Sequence, residues 1–144
     1  MRNGCFIIVI LLPGLAAGQS TDPERKAAEL VTPQTDRAID LGLRWLAAQQ
    51  HEDGSLGSGA YRGNVAITAL AGMAWMSGGS TPDRGPYGRA VDRTIAYLLA
   101  KTQHSGFIIE RAGASHGPMY GHGFATMFLA DCYGMSARPE LRTK

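Results

Sequence analysis

The chain has 144 residues, 44% hydrophobic, 18% charged and 8% aromatic, with 14 Lys+Arg against 12 Asp+Glu for a formal charge of +2. That balance excludes a disordered or collagen-like chain, and basic residues dispersed along the sequence exclude a nucleic-acid-binding stripe. One domain is the most this length allows.

Residues 1–18 read as a secretory signal peptide. Arg2 and the amino terminus supply positive charge, Cys5–Leu12 an apolar run, and Ala16-Ala17-Gly18 the small residues of a cleavage site. Cleavage is expected after Gly18, or alternatively after Ala17. The run is too short to span a bilayer, so the expected destination is export, to a periplasm or outside the cell. Removing the leader leaves Cys132 as the only cysteine, which forbids an internal disulfide. Cys132 reads as a small buried apolar residue rather than a nucleophile.

Residues 19–35, with Pro23 and Pro33, read as a linker holding one short helix around Glu24–Val31. From Asp36, a candidate N-cap, the pattern becomes helical: Ile39, Leu43, Leu46 and Gln50 form one stripe. His51–Gly63, rich in Gly and Ser, is a loop. Asn64–Met76 carries no charge and is apolar on nearly every side, which predicts a helix buried all round.

The same succession then recurs. Arg89-Ala90-Val91-Asp92 echoes Arg37-Ala38-Ile39-Asp40 after 52 residues, and Val91, Ile95 and Leu98 repeat the first stripe. Tyr97-Leu98 repeats Trp45-Leu46, and Gln103 answers Gln50 after a one-residue slip. Gly106–Ile109 is the only strand candidate. A second apolar helix is expected over Phe124–Tyr133, with Gly121-His122, Thr126 and Tyr133 matching Gly63-Asn64, Thr68 and Trp75 at a spacing of 58. The expected organisation is therefore all-α, with hairpin repeats over 36–87 and 88–135. Residues 136–144 begin a third repeat, with Pro139 in its first turn. Stacked repeats usually need three or more units to bury their faces, so both apolar helices are expected to be under-covered.

Trp45-Leu46, three residues, Gln50, three residues, Gly54-Ser55-Leu56 resembles the motif aromatic–aliphatic–x3–Gln–x3–Gly–x–Trp, with Leu56 in place of the last Trp. That is the repeat motif of squalene–hopene cyclases and related prenyltransferases, the prenyltransferase and squalene oxidase repeat. Tyr97-Leu98, Gln103, Gly106 and Ile108 form a more degraded second copy. The resemblance implies an α/α toroid, here a partial barrel of about four main helices, in which inner helices line a cavity. It gives Trp45, Gln50, Gly54, Tyr97, Gln103 and Gly106 structural roles: a Gln at a helix end can satisfy terminal carbonyls, and the Gly permits the reversal.

The chemistry of that family does not carry over. No Asp-x-Asp-Asp string occurs, and Glu52-Asp53 sits in a loop. Asp131-Cys132 offers two zinc-ligand types, but neighbours on a helix point in different directions. No Cys-Gly-Glu-Gln string is present. No catalytic residue, metal or cofactor is assigned.

The remaining candidates are Ser115-His116 and Tyr120-Gly121-His122-Gly123. Two histidines fall short of a zinc set, and adjacent Ser115 and His116 cannot readily form a catalytic hydrogen bond. Asn64 and His122 start the two inner helices, where they either cap and pack or line the rim of a ligand cavity. The ligand-binding candidates are therefore Asn64, His122, His116 and Tyr120. Recurring aromatics read as core, and Arg84, Arg89 and Arg93 as a solvated face.

The resulting expectation is an exported, non-catalytic scaffold that binds an apolar, lipid-like small molecule or a protein. Further repeats or self-association would complete it, with no nucleic acid and no membrane span after leader removal. The alternative is the amino-terminal part of a terpenoid-cyclase-like or prenyltransferase-like enzyme with its catalytic residues elsewhere. A purely structural interaction module is not separable from the first reading by sequence.

Overall fold

The computed structural model describes residues 30–110 and 117–143. One unit ends at Thr32, and the next, from Pro33, carries every helix named below. The leader 1–18, most of the 19–35 linker, Ser115 and His116 lie outside the described residues.

Four helices and a final single turn make an all-α domain: α1 Pro33–Gln49, α2 Val65–Ser77, α3 Gly88–Ala100, α4 Pro118–Met135 and α5 Glu140–Thr143. A 3-10 turn at Gly59–Tyr61 interrupts the first loop. Among the described residues there is no sheet. The strand candidate Gly106–Ile109 contributes only an isolated bridge, Thr102 to Ile108.

Helix α1 starts three residues before the expected boundary. Proline suits a first helical position, where its missing N–H has no acceptor to lose, so Pro33 extends the helix into the linker. Asp36 lies in the first turn, not at the N-cap, and its charge there complements the helix dipole. Only the carboxyl half of the stripe is covered: Leu43 is buried and Leu46 packs on the core, while Ile39 is 49% exposed.

Helix α2 is tied to α1 by the Trp75 indole, whose Nε1 donates to the Leu43 carbonyl at 3.2 Å. Val65, Thr68, Ala69, Ala71, Gly72 and Trp75 are buried. The helix is not buried all round: Ile67 and Leu70 are exposed along one face, the under-covering expected of an apolar helix in so few repeats. An apolar composition alone does not supply a neighbour for every side.

Helix α3 buries Val91, Ile95 and Leu98, the repeat of the first stripe, together with Ala90, Thr94 and Tyr97. Helix α4 differs most from its sequence reading. It begins at Pro118, so Tyr120-Gly121-His122-Gly123 is helical rather than loop. A Cβ on Gly121 would make ordinary contact with Val65 at 3.5 Å, so the approach of α2 does not require glycine there. The pairing of α4 with α2 along its length, tightest where Phe128 meets Gly72, supports the helix against the low propensity of its glycines. The second inner helix has consequently lengthened, with 18 residues against 13 in α2.

The two apolar helices run parallel, side by side. Val65 lies against Gly121, Gly72 against Phe128, and the Met76 sulfur 3.6 Å from the Cys132 thiol, each pair 56 residues apart. A constant positive offset requires parallel axes. Phe128 fills the space that a Cβ on Gly72 would need, at 2.5 Å. Ala69, Ala125, Phe128 and Cys132 are fully buried in the same core.

Helix α5 is anchored by Arg138, whose guanidinium lies 2.7 Å from Asp92 and 2.9 Å from Asp83. Contact with Arg138 holds the Asp83 carboxyl below its usual range. Burial, reinforced by the neighbouring Asp83, pushes Asp92 upward. Leu141 packs on the core from this turn.

Candidate functional site: an open helix groove

The loops after α1 and α3 have one backbone. His51 N–H donates to the Ser55 carbonyl and Gly54 N–H to the His51 carbonyl, both at 2.9 Å. Gln103 N–H donates to Phe107 at 2.8 Å and Gly106 N–H to Gln103 at 2.9 Å. Gly54 and Gly106 take φ +86° and +83°, a left-handed conformation that glycine adopts without steric cost. Leu56 and Ile108 are both buried two residues later. By this geometry Gln103 matches His51, and Thr102 stands where Gln50 does. The expected one-residue slip is therefore corrected: the spacing of 52 runs through the loop unbroken.

Gln50 is the joint between the repeats. Its Nε2 lies 3.0 Å from the carbonyls of Gly54 and Ala90 and 3.2 Å from Thr94 Oγ1. Its Oε1 accepts from Arg93, so Arg93 is bound to the first repeat although it stays exposed. The Tyr97 hydroxyl donates to the Gly63 carbonyl. Burial, with the charges of Asp53 and Glu110, pushes the Tyr97 phenol up to about 12. Helix α3 thus sits in a seat made by the first hairpin.

At the corresponding place beside the second hairpin, the described residues include only the single turn α5. There a cavity of about 290 Å³ is lined by residues including Leu99, Thr102, Ile108, His122, Leu129 and Tyr133. Leu141 of α5 reaches one edge. A Cβ added to Gly106 would meet nothing within 4 Å, whereas one on Gly54 would collide with the Arg93 carbonyl oxygen.

The four ligand-binding candidates separate. His122 lines the groove, packs tilted against Phe107 at 4.8 Å between ring centres, and accepts from Ile108 N–H at 3.3 Å through Nδ1. Thr68 does that job in the first repeat, accepting from Leu56 N–H at 2.9 Å. Asn64 is the N-cap of α2, accepting from Ile67 N–H at 3.0 Å. Glu110, unnoticed in the sequence, receives Asn64 Nδ2 at 2.8 Å and Val65 N–H at 3.0 Å. A carboxylate therefore already fills the positive mouth of α2. Asn64 and His122 are not equivalent after all, because α4 begins upstream of His122. Tyr120 is 73% exposed on the first turn of α4, and His116 lies outside the described residues.

Among the structural-motif residues, Gln50, Gly54 and Tyr97 make the contacts just described. Gln103 is exposed, Gly106 faces the groove, and Trp45 is 62% exposed. Asp131 is exposed while Cys132 is buried, with its thiol pushed up to about 12 by burial and then by Asp131. No group of three metal-ligating side chains occurs among the described residues, and none of their helices is long and apolar enough to cross a membrane. Leu99, Leu129, Ala130 and Leu141 were not singled out by sequence. The unbroken spacing from Gly54 to Gly106 and from Leu56 to Ile108 was the signal that leads to them.

No protein-family model matches the chain, and neither the curated proteins nor the solved structures contain a match.

Proposed function

We propose that residues 33–143 belong to an exported α/α-toroid repeat protein of the squalene-cyclase and prenyltransferase type, acting as a non-catalytic scaffold that binds a protein helix. Parallel inner helices and two loops of one design support the repeat reading. The observation that carries the binding role is the contrast between the two hairpins. One groove is filled by α3, and its counterpart, walled by Leu99, Ile108, Leu129 and Tyr133 and bordered by Leu141 of α5, keeps a cavity of about 290 Å³. A groove built to the same plan as a helix seat has the shape and polarity to take an amphipathic helix.

A labelled peptide of residues 86–100, the natural occupant of the first seat, tests this by fluorescence anisotropy. Saturable binding that is lost in Ala130→Arg is the expected result. Absence of saturable binding overturns the reading, and displacement by a long-chain isoprenoid alcohol at the same site reassigns the groove to a lipid-like ligand.

A further inference from the structure

We propose that Asp83, Asp92 and Arg138 form a proton-linked joint, one that tightens on mild acidification instead of breaking. A single nitrogen serves both carboxylates. Arg138 Nη2 lies 2.9 Å from each carboxyl oxygen of Asp83 and 2.7 Å from Asp92 Oδ1. The Asp83 N–H also donates to Asp92 Oδ1, at 3.1 Å. Glu140 approaches the same guanidinium at 4.0 Å. Three acids therefore crowd one cation, and when two carboxylates share a site one of them keeps its proton more readily.

The backbone is bent to bring Asp83 there. Pro82 and Asp83 are the central pair of a tight turn in which Thr81 and Arg84 exchange N–H to carbonyl bonds at 3.0 Å. Asp83 has φ +64°, and no other non-glycine among the described residues takes a positive φ. Glycine suits such a position better, and aspartate is one of the few side chains tolerated in it. What aspartate adds is the carboxylate on Arg138. The joint thus ties the turn before α3, α3 itself and the chain between α4 and α5. The joint between α1 and α3 has a different chemistry. Gln50 there meets two carbonyls, the Thr94 hydroxyl and Arg93, none of which titrates in the carboxylate range.

The two carboxyls respond to acid in opposite senses. Burial, then Asp83, raises Asp92 above the ordinary 3.8, whereas Arg138, then Asp92, lowers Asp83 below it. With residues 136–143 held on α3, Asp92 binds its proton more tightly than when they part. Joining is therefore favoured as pH falls towards 3.8. Below 3.8 the contribution of ionised Asp83 is lost. The joint is accordingly tightest near 3.8, with a protonated Asp92 beside an Asp83 still paired to Arg138. Glu140 of α5 and the Cys132 thiol of α4 also face it, and the thiol, pushed up to about 12, stays uncharged in this range. Leu141 packs on the core from the same segment and borders the cavity, so the proton fixes that edge of the second hairpin.

NMR titration of the Asp83 and Asp92 carboxyl carbons in the whole chain tests the proposal, with heteronuclear NOE values of the Leu141 and Arg142 amides reporting order in the joined segment. The midpoints are expected on opposite sides of 3.8, Asp92 above and Asp83 below. Segment order should rise from neutral pH to about 3.8 and fall beneath it. Asp83→Asn should lower the Asp92 midpoint, because a neighbouring negative charge is removed while Arg138 remains. Asp92→Asn should give the acid level of order already at neutral pH, since its amide stands in for a protonated carboxyl. Circular dichroism checks that each variant keeps its helices, and the wild-type titration decides by itself where one does not. Order that only declines from neutral pH downward overturns the proposal, leaving an ion pair that acid breaks. So do coincident midpoints, or an Asp92 midpoint unmoved in Asp83→Asn, which would assign its rise to burial alone.

Discussion

Gly54 and Gly106 share one backbone conformation and opposite surroundings. Their φ angles are +86° and +83°, but the Arg93 carbonyl oxygen occupies the place where a Gly54 Cβ would be, while Gly106 faces open space. Substitution by alanine therefore separates backbone strain from crowding. Gly106→Ala is expected to lose about 1 kcal/mol, the cost of a side chain at positive φ. Gly54→Ala carries that cost plus a clash with backbone, and is expected to lose more than about 3 kcal/mol. Urea unfolding of the two variants measures both, and equal losses would contradict the account.

Gln50 and Gln103 are expected to behave unequally. Gln50→Ala removes a part-buried amide that bridges α1, its loop and α3, at about 2 kcal/mol. Gln103→Ala changes an exposed side chain, with an effect within about 0.5 kcal/mol. The same urea midpoints decide this, and a larger loss at Gln103 would restore the slipped alignment.

Alkaline stability should carry the signature of Tyr97. Its phenol is raised from 10.0 to about 12 in the fold, so the folded state holds the proton more tightly than the unfolded one. The resulting stabilisation is fully present below pH 10.0 and is lost as pH rises towards about 12. Tyr97→Phe should flatten that part of the stability curve, measured by urea midpoints on the alkaline side. Cys132 titrates across the whole of the same window, from 9.0 to about 12, so the informative quantity is the difference in slope between wild type and variant.

Cys132 should resist thiol reagents in the native state. It is fully buried, and its thiol is pushed up to about 12, so little thiolate exists near neutral pH. In a Cys5→Ser background, labelling by an aromatic disulfide at pH 8 is expected to proceed only as fast as the protein opens. Rapid stoichiometric labelling would show instead that the α2–α4 seam is loose.

Much of the helix inventory was legible because it depends on local pattern. The stripe of α3 and the uncharged run of α2 are periodicities that neighbouring residues set by themselves, and Asn64 caps α2 through its own side chain. The start of α4 was not legible. Two glycines among Tyr120–Gly123 read locally as a loop, and the packing that supports a helix there comes from α2, through Val65 at Gly121, Gly72 at Phe128 and Met76 at Cys132. The site was missed for a related reason. His122 was visible as a polar residue near a helix, but the groove's walls come from α3, the loop after it and α4, and no local pattern encodes their meeting.

Local pattern along the chain was enough to specify an all-α fold in which an amphipathic helix, a glycine turn and an apolar helix occur twice, within the single-domain length and nearly neutral composition. Those features follow from side-chain periodicity and from the backbone freedom of Gly54 and Gly106, both local. Long-range packing was needed for the rest: that Gln50 joins α1 to Ala90 and Thr94, that α2 and α4 run parallel, and that Tyr97 is covered while Trp45 is bare. Each of these depends on residues some tens of positions apart meeting in space, where burial and hydrogen bonding act on whichever surfaces the packing brings together.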